Sequence, residues 1–295
     1  MGETRPAESD EARPVRRVHL LAPFRAGIRF AGLLAWALVC FVALVCVSLL
    51  GLVSEAVSRK ARGAVSRVWV RTMSRIMGTR ITVHGTPPRP PFFLVINHLA
   101  WIDFFVVNVL CDAVCIVEAP VGRIRLIGAL VKGLGSIFVH RVKEDTPRVN
   151  DLMVRAIEQG QSLLLAPETP ETTFPRGSGV RLFRGGLLES AVRTGTAVHY
   201  LSLTYRTPPG YPPPSKVMIF GPNPFLRTPD GRIPESELKA FGPERSFLWH
   251  LIGVLALPWH EVIVTFGPEP ITGTDRITLA NRLHDGVERI FTPIE

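Results

Sequence analysis

From Phe30 to Val53 the chain carries no charged residue. As a helix, those roughly 24 residues would measure about 36 Å, enough to cross a bilayer core with some tilt. The run is too long, and its N-terminal lead too extended, for a signal peptide, and no Ala-x-Ala site follows it. Arg25 and Arg29 precede it, while Arg59, Lys60, Arg62, Arg67, Arg71, Arg75 and Arg80 follow. Basic residues on both sides give no orientation by the positive-inside rule. A spanning helix would leave one basic side outside. A re-entrant or interfacial arrangement would keep both at the cytoplasmic face, and the sequence leaves the two open.

Residues 56–78 predict an amphipathic helix, with Val57, Ala64, Val68, Val70, Met73, Ile76 and Met77 on the apolar side and arginines on the polar side. Such a helix suits an anionic membrane surface. The formal charge of +9 is compatible with a membrane surface, an acidic substrate or nucleic acid. No nucleic-acid motif accompanies it. Cys40 and Cys46 fall in the apolar run, and Cys111 and Cys115 have no matching Cys/His pair, so neither a disulfide framework nor a zinc site is expected. The chain divides into a basic, poorly ordered N-terminus (1–27), membrane-anchoring helices (28–78) and one further domain (79–295).

In that domain short apolar runs alternate with helical patterns. Strands are expected at 80–84, 92–96, 113–117, 136–141, 162–166, 197–205, 216–220 and 261–266, and helices at 121–134, 146–159, 187–194 and 276–290. Residues 246–257 form an apolar segment too short to span, hence an interfacial or core helix. The alternation predicts an α/β fold, a mixed, largely parallel sheet flanked by helices.

The run Phe92 to Ile96 ends at Asn97-His98, and a helical pattern carries Asp103. Residues five apart in an unbroken helix would not meet. They meet if His98 lies in the turn and only Asp103 inside the helix. A His/Asp pair at that spacing is a weak signal alone, but at a strand-to-helix turn it has the parts of a catalytic base and the group that orients it.

Three further blocks follow in order. Gly135-Ser-Ile-Phe-Val-His-Arg141 is one. Leu163-Leu-Leu-Ala-Pro-Glu168-Thr-Pro-Glu171-Thr-Thr-Phe-Pro-Arg-Gly177 leads on to Phe183-Arg184-Gly185-Gly186. Val198-His-Tyr-Leu-Ser-Leu-Thr-Tyr205 is the last. Together with Asn97-His98-x4-Asp103 they resemble the glycerolipid acyltransferase family typified by 1-acylglycerol-3-phosphate acyltransferase, over roughly residues 80–205. The third block departs from the family's Phe-Pro-Glu-Gly-Thr. Strand position matches Glu168 to its glutamate, while spacing back from Phe183 matches Glu171, and both stay candidates. The missing glycine alters the turn. The family's lysine before the second block has no counterpart near Glu118.

The resemblance implies a membrane-bound O-acyltransferase that uses an acyl thioester, acyl-CoA or acyl carrier protein, with no cofactor and no metal. It implies His98 as general base oriented by Asp103, with the acceptor hydroxyl in the place of a serine nucleophile. Helix N-terminal amides after His98 would help hold the oxyanion. It makes Asn97, Arg141, Glu168, Glu171, Phe183, Arg184 and Gly185 candidate substrate-binding residues, with Arg141, Arg184 and Arg176 facing an anionic head group. His140, alternating to the face opposite Arg141, is not assigned a role. The expected partners are membrane lipids at a bacterial cytoplasmic membrane, with the site on the cytoplasmic face. Lyso-ornithine lipid is an alternative acceptor, and a non-catalytic lipid-binding protein on the same fold an alternative class.

Overall fold

The structure is a computed structural model describing residues 21–51, 54–123, 125–133, 135–140, 145–169, 177–219 and 247–294. Its elements are α1 (Ala22–Leu50), α2 (Glu55–Met77), β1 (Thr79–His84), β2 (Phe93–Ile96), α3 (Asp103–Leu110), β3 (Val114–Glu118), α4 (Arg125–Gly133), β4 (Ile137–Val139), α5 (Thr146–Glu158), β5 (Leu163–Leu165), α6 (Glu189–Thr194), β6 (Val198–Arg206), α7 (Pro214–Val217), α8 (Phe247–Ala256), β7 (His260–Phe266) and α9 (Arg276–Ile290). The seven strands form one sheet in the order β1-β7-β6-β2-β5-β3-β4. Only β6 and β7 pair antiparallel; every other neighbouring pair is parallel. This is the mixed, largely parallel sheet expected.

All four residues of β2 are buried, as a strand covered on both faces requires. Leu94 and Ile96 join Leu164, Leu201 and Leu203 in a core beneath α1, α2, α3 and α8. Phe93 and Val95 join Leu163, Leu165 and Val198 in a second core beneath α5 and α9. The period-two alternation of each strand splits its apolar residues between these layers.

The α1 helix begins at Ala22, earlier than the charge-free run suggests, and takes Arg25 and Arg29 inside it. Neither arginine is left to solvent. Arg29 donates to the carbonyls of Leu257 (2.6 Å), Pro258 (3.0 Å) and Leu255 (3.2 Å), and Arg25 to Ala256 (2.8 Å). These are the otherwise unpaired carbonyls at the C-terminal end of α8, where cations are favoured. Gly78, which ends α2 at φ +76°, makes room for the clasp, since a Cβ there would lie 2.5 Å from the Arg29 guanidinium.

The α2 helix folds back along α1. Ser58 donates to the Val47 carbonyl (3.0 Å), Trp36 to Trp69 (3.4 Å), and Gly32 meets Ile76. The pairs run in opposite order along the two helices, so they are antiparallel. Trp69, Val70, Met73 and Met77 face inward, while Arg67, Arg71 and Arg75 are exposed. Val57 and Val68, expected on the apolar face, are exposed instead, and Trp69 takes the buried position.

One expected strand is absent. Residues 214–217 are helical, because Pro214 at the first helical position has its φ already set and no amide to lose. Phe220 lies outside the described residues.

The clasp gives a testable expectation. Arg29→Gln should destabilise the detergent-solubilised protein by about 2–4 kcal/mol, as charged hydrogen bonds to three carbonyls are lost. Arg25→Gln, losing one, should cost less. Chemical denaturation of the two variants checks the order.

Candidate active site

In a parallel sheet the C-terminal ends of the strands share one edge, and ligands bind outside it. Here β2, β3, β4 and β5 deliver His98, Glu118, His140 and Glu168 to that edge. All four line a cavity of about 830 Å³, which Thr146 and Arg184 also line. Its interior is apolar, walled by Phe30 and Leu33 of α1, Trp69 and Met73 of α2, Phe105 of α3 and Leu130 of α4.

Asn97 fixes where the turn begins. It is fully buried, its side chain donating to the Leu203 carbonyl (3.0 Å) and accepting from the Leu203 amide (2.7 Å). The amide group thus extends the β2–β6 pairing one step beyond Ile96. Both ends of its side chain are engaged by β6, and Asn97 is not among the residues lining this cavity.

His98 follows in the turn, and α3 starts at Asp103. The two side chains meet, with His98 Nδ1 2.9 Å from Asp103 Oδ2. Asp103 is completely buried, whereas the His98 side chain is 38% exposed. The same Oδ2 accepts from the amides of Leu99 (2.7 Å) and Ala100 (2.9 Å), and Oδ1 accepts from the Tyr205 hydroxyl. With Nδ1 turned to Asp103, Nε2 is the ring nitrogen that faces away from the carboxylate. The Phe104 ring packs edge-on against the imidazole at 5.4 Å between centroids. The amides of Leu99 and Ala100, in the turn before α3, are engaged by Asp103.

Glu168 is buried at the cavity wall, accepting from the backbone amides of His98 and Arg181. Burial pushes its carboxyl up to about 7, against the opposing pull of Arg181, His98 and those amides. Its segment pairs antiparallel with the next block, through Thr169 N to Leu182 O (2.8 Å) and Arg184 N to Pro167 O (2.8 Å). That pairing places Arg184 at the cavity.

Two residues of that block do other work. Phe183 is buried in the second core, edge-on to His284 at 5.7 Å, and does not line the cavity. Gly185 lies against α9, where a Cβ would sit 2.6 Å from the Arg276 carbonyl. Both pack against the last helix, Phe183 on His284 and Gly185 on Arg276. Arg141, Glu171 and Arg176 lie outside the described residues. His140, set aside on strand alternation, does line the cavity, because β4 ends at Val139 and the alternation stops there. Tyr205 and Glu118 were missed: one had the look of a core strand residue, the other of a strand end. Trp101 closes the roof, donating to His250 Nε2 of α8 at 3.1 Å.

A family model described as Acyltransferase matches residues 80–204. A lyso-ornithine lipid O-acyltransferase of Pseudomonas aeruginosa is 29% identical over 145 residues, 49% of this chain and 55% of that protein. A 1-acyl-sn-glycerol-3-phosphate acyltransferase of Neisseria gonorrhoeae is 25% identical over 121 residues, 40% of this chain and 46% of that protein. The chain thus spans about half the length of the curated relatives it matches. The crystal structure of the 1-acyl-sn-glycerophosphate acyltransferase of Thermotoga maritima has the same fold, with a TM-score of 0.58 at 15% identity over 92% of this chain and 96% of that one.

Glu168 makes stability depend on pH in a defined direction. Its folded value, about 7, exceeds its ordinary 4.5. Its contribution to stability is therefore complete below pH 4.5 and is lost as pH rises through 7. Glu168→Gln keeps an acceptor for both amides and cannot ionise. The variant should match the wild type at pH 4.5 and exceed it by about 2–3 kcal/mol at pH 8. Denaturation curves that stay parallel across this range would refute the assignment.

Proposed function

We propose, on the premise that the chain belongs to the glycerolipid acyltransferase family, that it transfers a fatty acyl group from an acyl thioester to the hydroxyl of a lysophospholipid such as 1-acylglycerol-3-phosphate. The observation that carries the reading is His98 Nδ1 tied to buried Asp103 at the mouth of an apolar cavity. The acceptor hydroxyl gives its proton to His98 Nε2 as its oxygen attacks the thioester carbonyl. Asp103 stabilises the imidazolium that forms. When the tetrahedral intermediate collapses, the carbon–sulfur bond breaks and His98 returns the proton to the thiolate. The products are an ester and a free thiol, and no cofactor enters. The apolar interior takes an acyl chain, and the polar lining of Glu118, His140, Thr146, Glu168 and Arg184 takes the acceptor's head. Acyl-CoA or acyl carrier protein is the donor.

The α1–α2 hairpin supports attachment to a bacterial cytoplasmic membrane, with the site on the cytoplasmic face. Helix α1 is long and apolar enough to cross a bilayer. Yet α2 returns beside it with Arg67, Arg71 and Arg75 exposed along its length. Crossing would carry those arginines into hydrocarbon at about 2.5–3.5 kcal/mol each near the centre. The hairpin therefore lies in the interface, apolar face down.

A second acceptor, lyso-ornithine lipid, is favoured by two observations. The lyso-ornithine relative shares more of this chain than the glycerophosphate relative does. Glu118 and Glu168 in the cavity lining also suit an amine-bearing head better than a phosphate alone.

The test is transfer by purified protein from labelled acyl-CoA and acyl carrier protein to a panel of lyso-lipids. His98→Ala should lower turnover about 100- to 10,000-fold and leave membrane attachment intact. Product from lyso-ornithine lipid alone would keep the mechanism and change the acceptor. No product from any pair, with both proteins folded, would favour a lipid-binding protein.

A further inference from the structure

Asp103 Oδ2 carries the bonds expected of a group orienting a histidine, but Oδ1 is also occupied, by a residue outside the His-x4-Asp motif. Tyr205, on β6, is 2% exposed, and its hydroxyl donates to Oδ1. It lies two residues from Leu203, whose backbone holds the Asn97 side chain. Leu201, Leu203 and Tyr205 share one face of β6, the face toward α3. One strand thus grips the catalytic turn at both ends, by its backbone at Asn97 and by a side chain at Asp103.

We propose that Tyr205 is a positioning residue for acyl transfer, fixing the plane of the Asp103 carboxylate so that Oδ2 stays aimed at His98 Nδ1. The proposal rests on the reading of His98 as the base. A carboxylate anchored through one oxygen can swing about its Cβ–Cγ bond; anchored through both it cannot. The apolar body of Tyr205 needs only a phenylalanine to fill its space, so the hydroxyl is the informative atom. Burial and the Asp103 charge push the phenol well above its usual range, so it remains a donor wherever the enzyme would work.

The hydroxyl also sets how readily His98 takes a proton. Asp103 needs its donors most when it stands as a lone anion beside neutral His98, and less when it faces an imidazolium. Losing Tyr205's bond raises the first state more than the second, so His98 keeps its proton to higher pH. The other charged or titratable groups lining this cavity, among the described residues, are Glu168 after β5, Glu118 and Cys115 on β3, His140 after β4 and Arg184. None of these changes in a Tyr205 variant.

The experiment compares wild type, Tyr205→Phe, Asp103→Asn and the double variant in kcat, KM and pH–rate profile. Tyr205→Phe should lower kcat about tenfold, leave KM within about twofold, and move the acid limb up by about half to one pH unit. On the Asp103→Asn background the same change should cost less than about twofold, since Tyr205 acts through Asp103. An unmoved acid limb, or a full-sized loss on the Asp103→Asn background, would overturn the proposal. Two measurements do not need turnover, and the second does not need the variant's folding. The His98 titration followed by NMR should move up in Tyr205→Phe. It should move down in wild-type protein labelled with fluorotyrosine, a stronger donor. An unmoved midpoint in the labelled protein counts against Tyr205. A moved midpoint in a protein that turns over no lyso-lipid would sustain the Tyr205 assignment and count against the acyltransferase reading.

Discussion

The site depends on one buried carboxylate. Asp103 has no exposed surface, yet it is surrounded by four donors: His98 Nδ1, the amides of Leu99 and Ala100, and the Tyr205 hydroxyl. Together these four hydrogen bonds fix the turn from residue 98 to 103 and hold the imidazole against the carboxylate. The His98–Asp103 pair and the local fold are thus a single arrangement. Removing the carboxylate would leave two turn amides and a tyrosine without acceptors, so its loss is structural as well as chemical.

The rest of the domain brings other chemistry to that turn through the direction of its strands. Because β2, β3, β4 and β5 are mutually parallel, residues far apart in sequence leave the sheet at the same edge. Glu168 shows how tightly the edge is built: its carboxyl takes the backbone amide of His98, so the third block of the chain buttresses the first. Burial pushes that carboxyl up to about 7, so the cavity wall there is less negative than a count of carboxylates implies.

Much of the fold could be read from the sequence because its signals were local. The run Phe93 to Ile96 had to be a strand buried on both faces, and the five-residue spacing of His98 and Asp103 made sense only at a turn. What the sequence could not show were contacts whose partner lay across the sheet. Asn97 stands next to the histidine in sequence, but the fate of its amide was decided by Leu203, 106 residues on. Phe183 and Gly185 belong to a recognisable block, yet their neighbours are His284 and Arg276 on the last helix, which no spacing within the block encodes. Tyr205 had the pattern of a core strand residue, and only its distal oxygen distinguishes it. Arg25 and Arg29, taken as flanking charges for a membrane run, are consumed by the carbonyl end of α8.

That last point changes what the apolar run is. Helix α1 is apolar on nearly every face, which for a soluble helix implies burial all round. Here the faces have different neighbours. Phe30, Leu33 and Ala37 line the cavity, while Leu38, Val42 and Val45 are exposed, and Leu34 is both exposed and part of the cavity wall. On the proposed reading one side of the helix meets the acyl chain being transferred and the other meets the bilayer. The two hydrocarbon environments are then separated by a single helix. The Arg29 clasp holds that helix to α8, whose Phe247 and Leu251 complete the same wall. On that reading membrane attachment and the shape of the cavity are coupled, because the same helix, held by the same clasp, serves both.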